Sequence, residues 1–169
     1  MPRLPMRLLG DPVLREPAAP VEHFDEALKA LVDDMFETMD AEEGAGLAAP
    51  QVGVSLRVFV VDARQGGGGR NSRFALVNPR IVEHSDEVEA APEGCLSIPG
   101  VSEVVRRPAQ VTVEGFDVEG APLRVTGDEL LGRALQHELD HLDGVLFIDH
   151  LSPLKRRMLL KKYRKLQGE

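Results

Sequence analysis

The sequence predicts an α+β fold, with antiparallel or mixed β-sheets packed around a central helix and one further helix towards each end of the chain. Three observations carry that expectation. Residues 24–40 and 128–142 repeat apolar side chains at helical spacing, and they lie far apart in the chain. Between them stand short strand-like runs bounded by glycine, proline and turn residues. Strand and helix never alternate in the regular order of a parallel sheet.

In chain order, residues 24–40 place Phe24, Leu28, Leu31, Val32, Met35, Phe36 and Met39 on one side of an amphipathic helix, with Pro20 and Asp25 near its start. The following Gly44-Ala45-Gly46-Leu47-Ala48-Ala49-Pro50-Gln51 is too broken by glycine and proline to prolong it. Residues 56–62 read as a buried strand, Gly66-Gly67-Gly68-Gly69 as a flexible turn, and residues 74–82 as a second strand. Residues 111–118, the turn Glu119-Gly120 and residues 123–125 read as a hairpin. Residues 128–142 form the central helix, which Gly144 is placed to close. Ser152 is an N-cap and Pro153 the first residue of the last helix.

With 169 residues, 43% of them apolar, the chain suits one domain, residues 1–169, whose end at 152–169 is a basic C-terminal helix. Cys95 is the one cysteine, so no intramolecular disulfide is available. No apolar run approaches membrane-spanning length, and the N-terminus lacks the apolar segment of a secretory signal. A cytoplasmic protein with no membrane partner is expected. Net charge is −8, yet residues 155–169 hold seven Lys/Arg and one Glu. The acidic body argues against sequence-specific nucleic-acid binding, whereas the basic end suits docking on a polyanion such as ribosomal RNA.

The chemistry concentrates in Gln136-His137-Glu138-Leu139-Asp140-His141. Residues four apart share a helix face, so His137 and His141 converge on one cation while Glu138 stands beside them to handle a proton. That predicts metal-assisted hydrolysis. Other motif-like stretches carry less. Gly44-Ala45-Gly46-Leu47-Ala48-Ala49 fits a dinucleotide-binding spelling but follows a helix and runs into Pro50. The four-glycine run lacks the Lys-Ser/Thr of a P-loop. A metzincin would need a third histidine where Phe147 stands, and His23, His84 and His150 read as surface or capping residues. Glu83, Asp86, Glu87 and Glu89 read as a solvated face.

A catalytic metal site generally has three protein ligands, so one is missing. Asp149 is the acidic candidate. Cys95 is the other, in Pro92-Glu93-Gly94-Cys95-Leu96-Ser97-Ile98-Pro99, where glycine and proline bracket a short exposed segment. An acid here would make a zincin-like metallopeptidase, tolerant of Cys95→Ser. A binding module keeping the metal as structure would need neither Glu138 nor Gln51.

Three segments, Gly44-Ala45-Gly46-Leu47-Ala48-Ala49-Pro50-Gln51, Glu93-Gly94-Cys95-Leu96-Ser97 and Gln136-His137-Glu138-Leu139-Asp140-His141, resemble the ordered motifs of bacterial peptide deformylase. The resemblance spans most of the chain, including residues 11–15 and 144–154. It implies removal of the formyl group from the N-terminal formyl-methionine of nascent polypeptides, with release of formate. It implies one divalent metal on Cys95, His137 and His141, with Fe²⁺ expected and Ni²⁺, Co²⁺ or Zn²⁺ accepted. Metal-bound water activated by Glu138 is the expected attacking group, with the Gln51 side-chain amide and the Leu96 backbone N–H as oxyanion donors.

By the same resemblance, the backbone of Ala45, Gly46 and Gly94 holds the peptide as an added strand, and Leu130, Ala134 and His137 line the methionine pocket. The family often has a larger branched residue where Ala45 stands. Arg133 shares that part of the helix and reads as a rim charge without a contact. Glu43 and Arg107 are expected to pair and brace the site, and the basic C-terminal helix to dock on the ribosome.

Overall fold

The structure, a computed structural model, describes residues 4–66 and 72–168. In chain order it runs α1 (Glu26–Ala41), β1 (Gly46–Ala48), β2 (Val58–Asp62), β3 (Arg73–His84), β4 (Val88–Cys95), β5 (Ile98–Pro108), β6 (Gln110–Phe116), β7 (Pro122–Asp128), α2 (Glu129–Leu142) and α3 (Pro153–Leu166). Short 3₁₀ turns occupy Pro12–Arg15, Ala49–Val52, Arg64–Gly66 and Phe147–His150.

Five strands form one sheet in the order β1-β2-β3-β6-β7, each pair antiparallel. Both faces of its centre are covered. Val58, Val60 and Val77 point to α1, where they meet Val32, Met35 and Met39. Phe59, Val61 and Leu76 point the other way, to Leu135, Leu139 and Leu142 of α2. A strand buried on both faces has no need of polar alternation, so β2 appears as the continuous run Val58-Phe59-Val60-Val61.

α1 starts where Asp25 accepts the Leu28 N–H at 3.1 Å, and α3 starts where Ser152 accepts the Lys155 N–H at 3.3 Å. α2 ends at Gly144, whose φ of 76° is left-handed; a Cβ there would lie 2.6 Å from the Arg15 carbonyl oxygen. Only glycine meets both conditions. Among the described residues no helix is long and apolar enough to cross a membrane.

β4 and β5 form a separate two-stranded hairpin. Its core side, Ile98, Val101 and Val105, packs on Leu14, Leu146, Phe147 and Ile148, with Leu159 and Tyr163 of α3 completing the cluster. α2 is gripped between this hairpin and the large sheet: Gln136 Nε2 donates to the Pro108 carbonyl at 3.0 Å, while Leu135 and Leu139 enter the sheet-side core.

The hairpin is the main departure from the sequence expectation. Residues 92–99, expected as a short exposed segment, form its tip, where Cys95 pairs with Ile98 around Leu96-Ser97. Pro92 and Gly94 weaken the strand signal, but both strands of a two-stranded hairpin are edges, where proline is tolerated. The acidic Glu83, Asp86, Glu87 and Glu89 are exposed, as a solvated face requires. Gly66 closes the Arg64–Gly66 turn, and the rest of the expected glycine turn, residues 67–69, lies outside the described residues.

Candidate active site

The last residue of β4 and two residues one turn apart on α2 bring three soft donors together. His137 Nε2 and His141 Nε2 are 3.3 Å apart, and Cys95 Sγ is 3.4 Å from His141 Nε2. All three donor atoms lie within 4.8 Å of one another. Glu93, also on β4, accepts from His137 Nδ1 at 2.9 Å, which puts the ring proton on Nδ1 and turns the Nε2 lone pair inward. His141 Nδ1 and Glu138 Oε1 are buried without a hydrogen-bond partner among the described residues. One thiol and two imidazoles, converging with buried polar atoms left over, fit a divalent metal ion.

The electrostatics point the same way. Burial, then the neighbouring His137, pushes the pKa of His141 well below its ordinary value, so that ring stays neutral. Burial also resists charging of His137, but the charges of Glu138 and its bonds to Cys95 and Glu93 outweigh it and drive the pKa up. Glu138 and Glu93 thus favour positive charge at His137, and two like charges this close exclude one another. Burial would raise Glu93, yet bonds from His137 and Arg107 hold it well below the carboxylate range.

Glu138 follows His137 on α2 and is buried, with Oε2 4.0 Å from His137 Nε2. Desolvation raises its pKa to about 7, where a carboxyl group both takes and returns a proton near neutrality. Gln51, 1% exposed, spends Oε1 on the Ala48 N–H at 2.9 Å. Its Nε2 is thereby fixed towards Ser97 Oγ at 3.1 Å and Cys95 Sγ at 3.5 Å. Leu96 occupies the turn directly after Cys95.

Gln51, Cys95, Leu96, His137 and Glu138 open on one cavity of about 650 Å³, while His141 is buried. Ala45 and Gly46 line it on the side of the large sheet, Gly94 and Leu96 on the side of the hairpin, and Leu130, Ala134, His137 and Glu138 along α2. The structure thus gathers every residue singled out in the three sequence segments.

Two expectations need correction, and the alternative ligand candidates are left aside. Arg107 does not pair with exposed Glu43: its Nε and Nη2 bond Glu93 at 2.6 and 2.9 Å, and Nη1 bonds Asp140 at 2.9 Å. The hairpin carries Glu93 and Arg107 together, whereas Glu43 sits past the end of α1. Arg133 does line the cavity, but it is not without a contact: lying one turn before His137, it is largely covered by the hairpin and bonds Glu93 at 2.6 Å. Asp149 stays clear of the donor cluster, bound to Arg15 and to the Leu146 N–H. His150 is not a ligand either, but reaches Asp140 at 2.8 Å. Sequence reasoning gave Glu93 and Asp140 no role; an acid two residues from a cysteine was the available signal for the first.

Residues 4–157 match the family model described as polypeptide deformylase. A peptide deformylase of Brucella suis biovar 1 is 48% identical over 165 residues, covering 98% of this chain and 94% of that one. The crystal structure of a peptide deformylase from Legionella pneumophila superposes with a TM-score of 0.92 at 46% identity, over 99% of this chain and 96% of that one. One from Ehrlichia chaffeensis in complex with actinonin also gives 0.92, at 37% identity over all of both chains.

Proposed function

The chain belongs to the polypeptide deformylase family, and we propose that its Cys95, His137 and His141 hold the one divalent metal ion on which that hydrolysis depends. Its reaction is removal of the formyl group from the N-terminal formyl-methionine of nascent polypeptides, with release of formate. The observation that carries the choice of residues is the convergence of Cys95 Sγ with two histidine Nε2 atoms beside a buried carboxylate.

A thiolate with two imidazoles suits Fe²⁺, Ni²⁺, Co²⁺ or Zn²⁺ and is too soft a set for Mg²⁺ or Ca²⁺; among these Fe²⁺ is the proposed ion on the family resemblance, with the others as substitutes. When bound, the ion supplies Lewis-acid polarisation and acidifies water. Glu138 takes a proton from the attacking water and delivers it to the departing methionine nitrogen. Gln51 Nε2 and the Leu96 N–H donate to the oxyanion that develops on the formyl oxygen. Ala45 and Gly46 on one side and Gly94 on the other hold the peptide backbone, which leaves sequence tolerance beyond the first residue. Leu130 and Ala134 receive the methionine side chain.

Residues 1–169 act, in this reading, as one cytoplasmic deformylase domain, with 152–169 docking on the ribosome. Support for docking is the exposure of Leu154, Met158 and Leu166 on a helix rich in Lys and Arg. The assignment is tested by incubating metal-replete protein with a formyl-methionyl peptide: formate is expected, and absence of formate or cleavage of internal peptide bonds overturns it.

A further inference from the structure

Arg133 lies on α2 one turn ahead of His137, with a side chain only 12% exposed. Its Nη1 donates to Glu93 Oε2 at 2.6 Å and to the Val105 carbonyl at 2.9 Å, and its Nη2 donates to the Glu89 carbonyl at 2.9 Å. One guanidinium therefore ties the histidine helix to both strands of the hairpin. Two of its three acceptors belong to β4, the strand that ends at Cys95.

Its grip on Glu93 is separate from the one Glu93 exerts on His137. Oε1 of Glu93 holds His137 Nδ1 at 2.9 Å, while Oε2 receives Arg133, and Arg107 bonds both oxygens. Arg107 alone gives Glu93 a bidentate partner on the same hairpin. Arg107 also reaches α2, through Asp140 at 2.9 Å, but from β5 alone; Arg133 reaches from α2 to both strands at once, because a planar fork satisfies several acceptors at set angles. Cys95 Sγ and the histidine Nε2 atoms come from opposite sides of this seam, so their convergence depends on its register.

We propose that Arg133 is a positioning residue for the metal-ligand cluster, setting β4 and Glu93 against α2 so that Cys95 meets His137 and His141 at the spacing a metal ion needs. This rests on the metal site of the proposed function. Its hydrogen bonds go to Glu93, Val105 and Glu89 and none to a metal-ligand atom, although its side chain also borders the cavity beside Ala134.

The test is Co²⁺ binding to the full chain and to Arg133→Met, followed by chelator competition and by the thiolate-to-cobalt absorption band, with formate release per bound cobalt alongside. Arg133→Met should bind Co²⁺ about tenfold more weakly or worse, with a shifted band, as loss of a partner behind a ligand typically does. Arg133→Lys, which keeps the charge and loses the fork, should fall between the two, and it carries the comparison if the methionine variant does not fold. Unchanged affinity and an unchanged band, with or without a fall in melting temperature, overturn the role of Arg133. The unaltered chain separates the two readings: its failure to bind Co²⁺ or to release formate overturns the proposed function itself.

Discussion

A methyl group on Gly46 would sit 2.5 Å from Oε2 of Glu138. The edge strand of the large sheet therefore approaches the acid-base carboxylate as closely as a backbone can, and no side chain fits between them. Because the obstructed atoms, Oε2, Cδ and Cγ of Glu138, all belong to a side chain and none to the backbone, Gly46→Ala should leave the fold standing and move Glu138. Turnover should drop roughly 100-fold or more, in the range for loss of a positioned acid-base group. Steady-state kinetics with a thermal melt check this; full turnover in Gly46→Ala would mean that Glu138 does not act from its present position.

Gln51 serves two ends at once, Oε1 on the Ala48 N–H and Nε2 facing Cys95 and Ser97. Gln51→Ala should lower kcat by about 10² to 10³, the loss seen for one oxyanion donor. It should also destabilise the fold by about 1–3 kcal/mol, because the buried Ala48 N–H loses its acceptor. A urea titration beside the kinetics separates the two effects, and unchanged kcat would remove Gln51 from the oxyanion site.

Much of this was readable in the chain itself. The three helices declare themselves by apolar spacing and by Asp25, Ser152 and Gly144, whose capping roles are local. The histidine pair needs one turn of helix and nothing more. Cys95 was different: without the family resemblance Asp149 stood equal to it, and only tertiary structure commits Asp149 to Arg15. The hairpin was hidden because its strands are largely exposed and interrupted by Pro92 and Gly94. The bonds from Arg107 and Arg133 to Glu93 span 14 and 40 residues, so no local pattern announces them.

Asp62 is paired with Arg64 at 2.7 Å and Arg73 at 2.9 Å. The Arg64 bond, helped by Arg73 and opposed by partial burial, holds its carboxyl far below the ordinary value. A depressed folded-state pKa stabilises the fold above the unfolded value near pH 4 and loses that contribution as pH falls below it. Asp62→Asn should reduce stability at pH 7 by on the order of 1 kcal/mol and flatten the acid limb. Denaturant melts from pH 7 to pH 3 check the sign; a difference that grows on acidification would contradict it.

Deleting α3 is a poor test of ribosome docking, since Leu159 and Tyr163 are buried in the hairpin core. Arg157, Lys161 and Arg164 are exposed on the same helix. Their joint replacement by Glu should weaken co-sedimentation with ribosomes at least tenfold at low salt, since the attraction is electrostatic. Formate release from a short peptide should be unchanged. Undiminished co-sedimentation would end the docking proposal.

The most direct measurement is formate release as a function of bound metal. Protein stripped of metal without oxygen and titrated with Fe²⁺ or Co²⁺ should gain turnover in proportion to metal bound, saturating at one ion per chain, while Cys95→Ala gains little under the same titration. Turnover by the stripped protein, or full recovery by Cys95→Ala, would contradict a catalytic metal held by Cys95, His137 and His141.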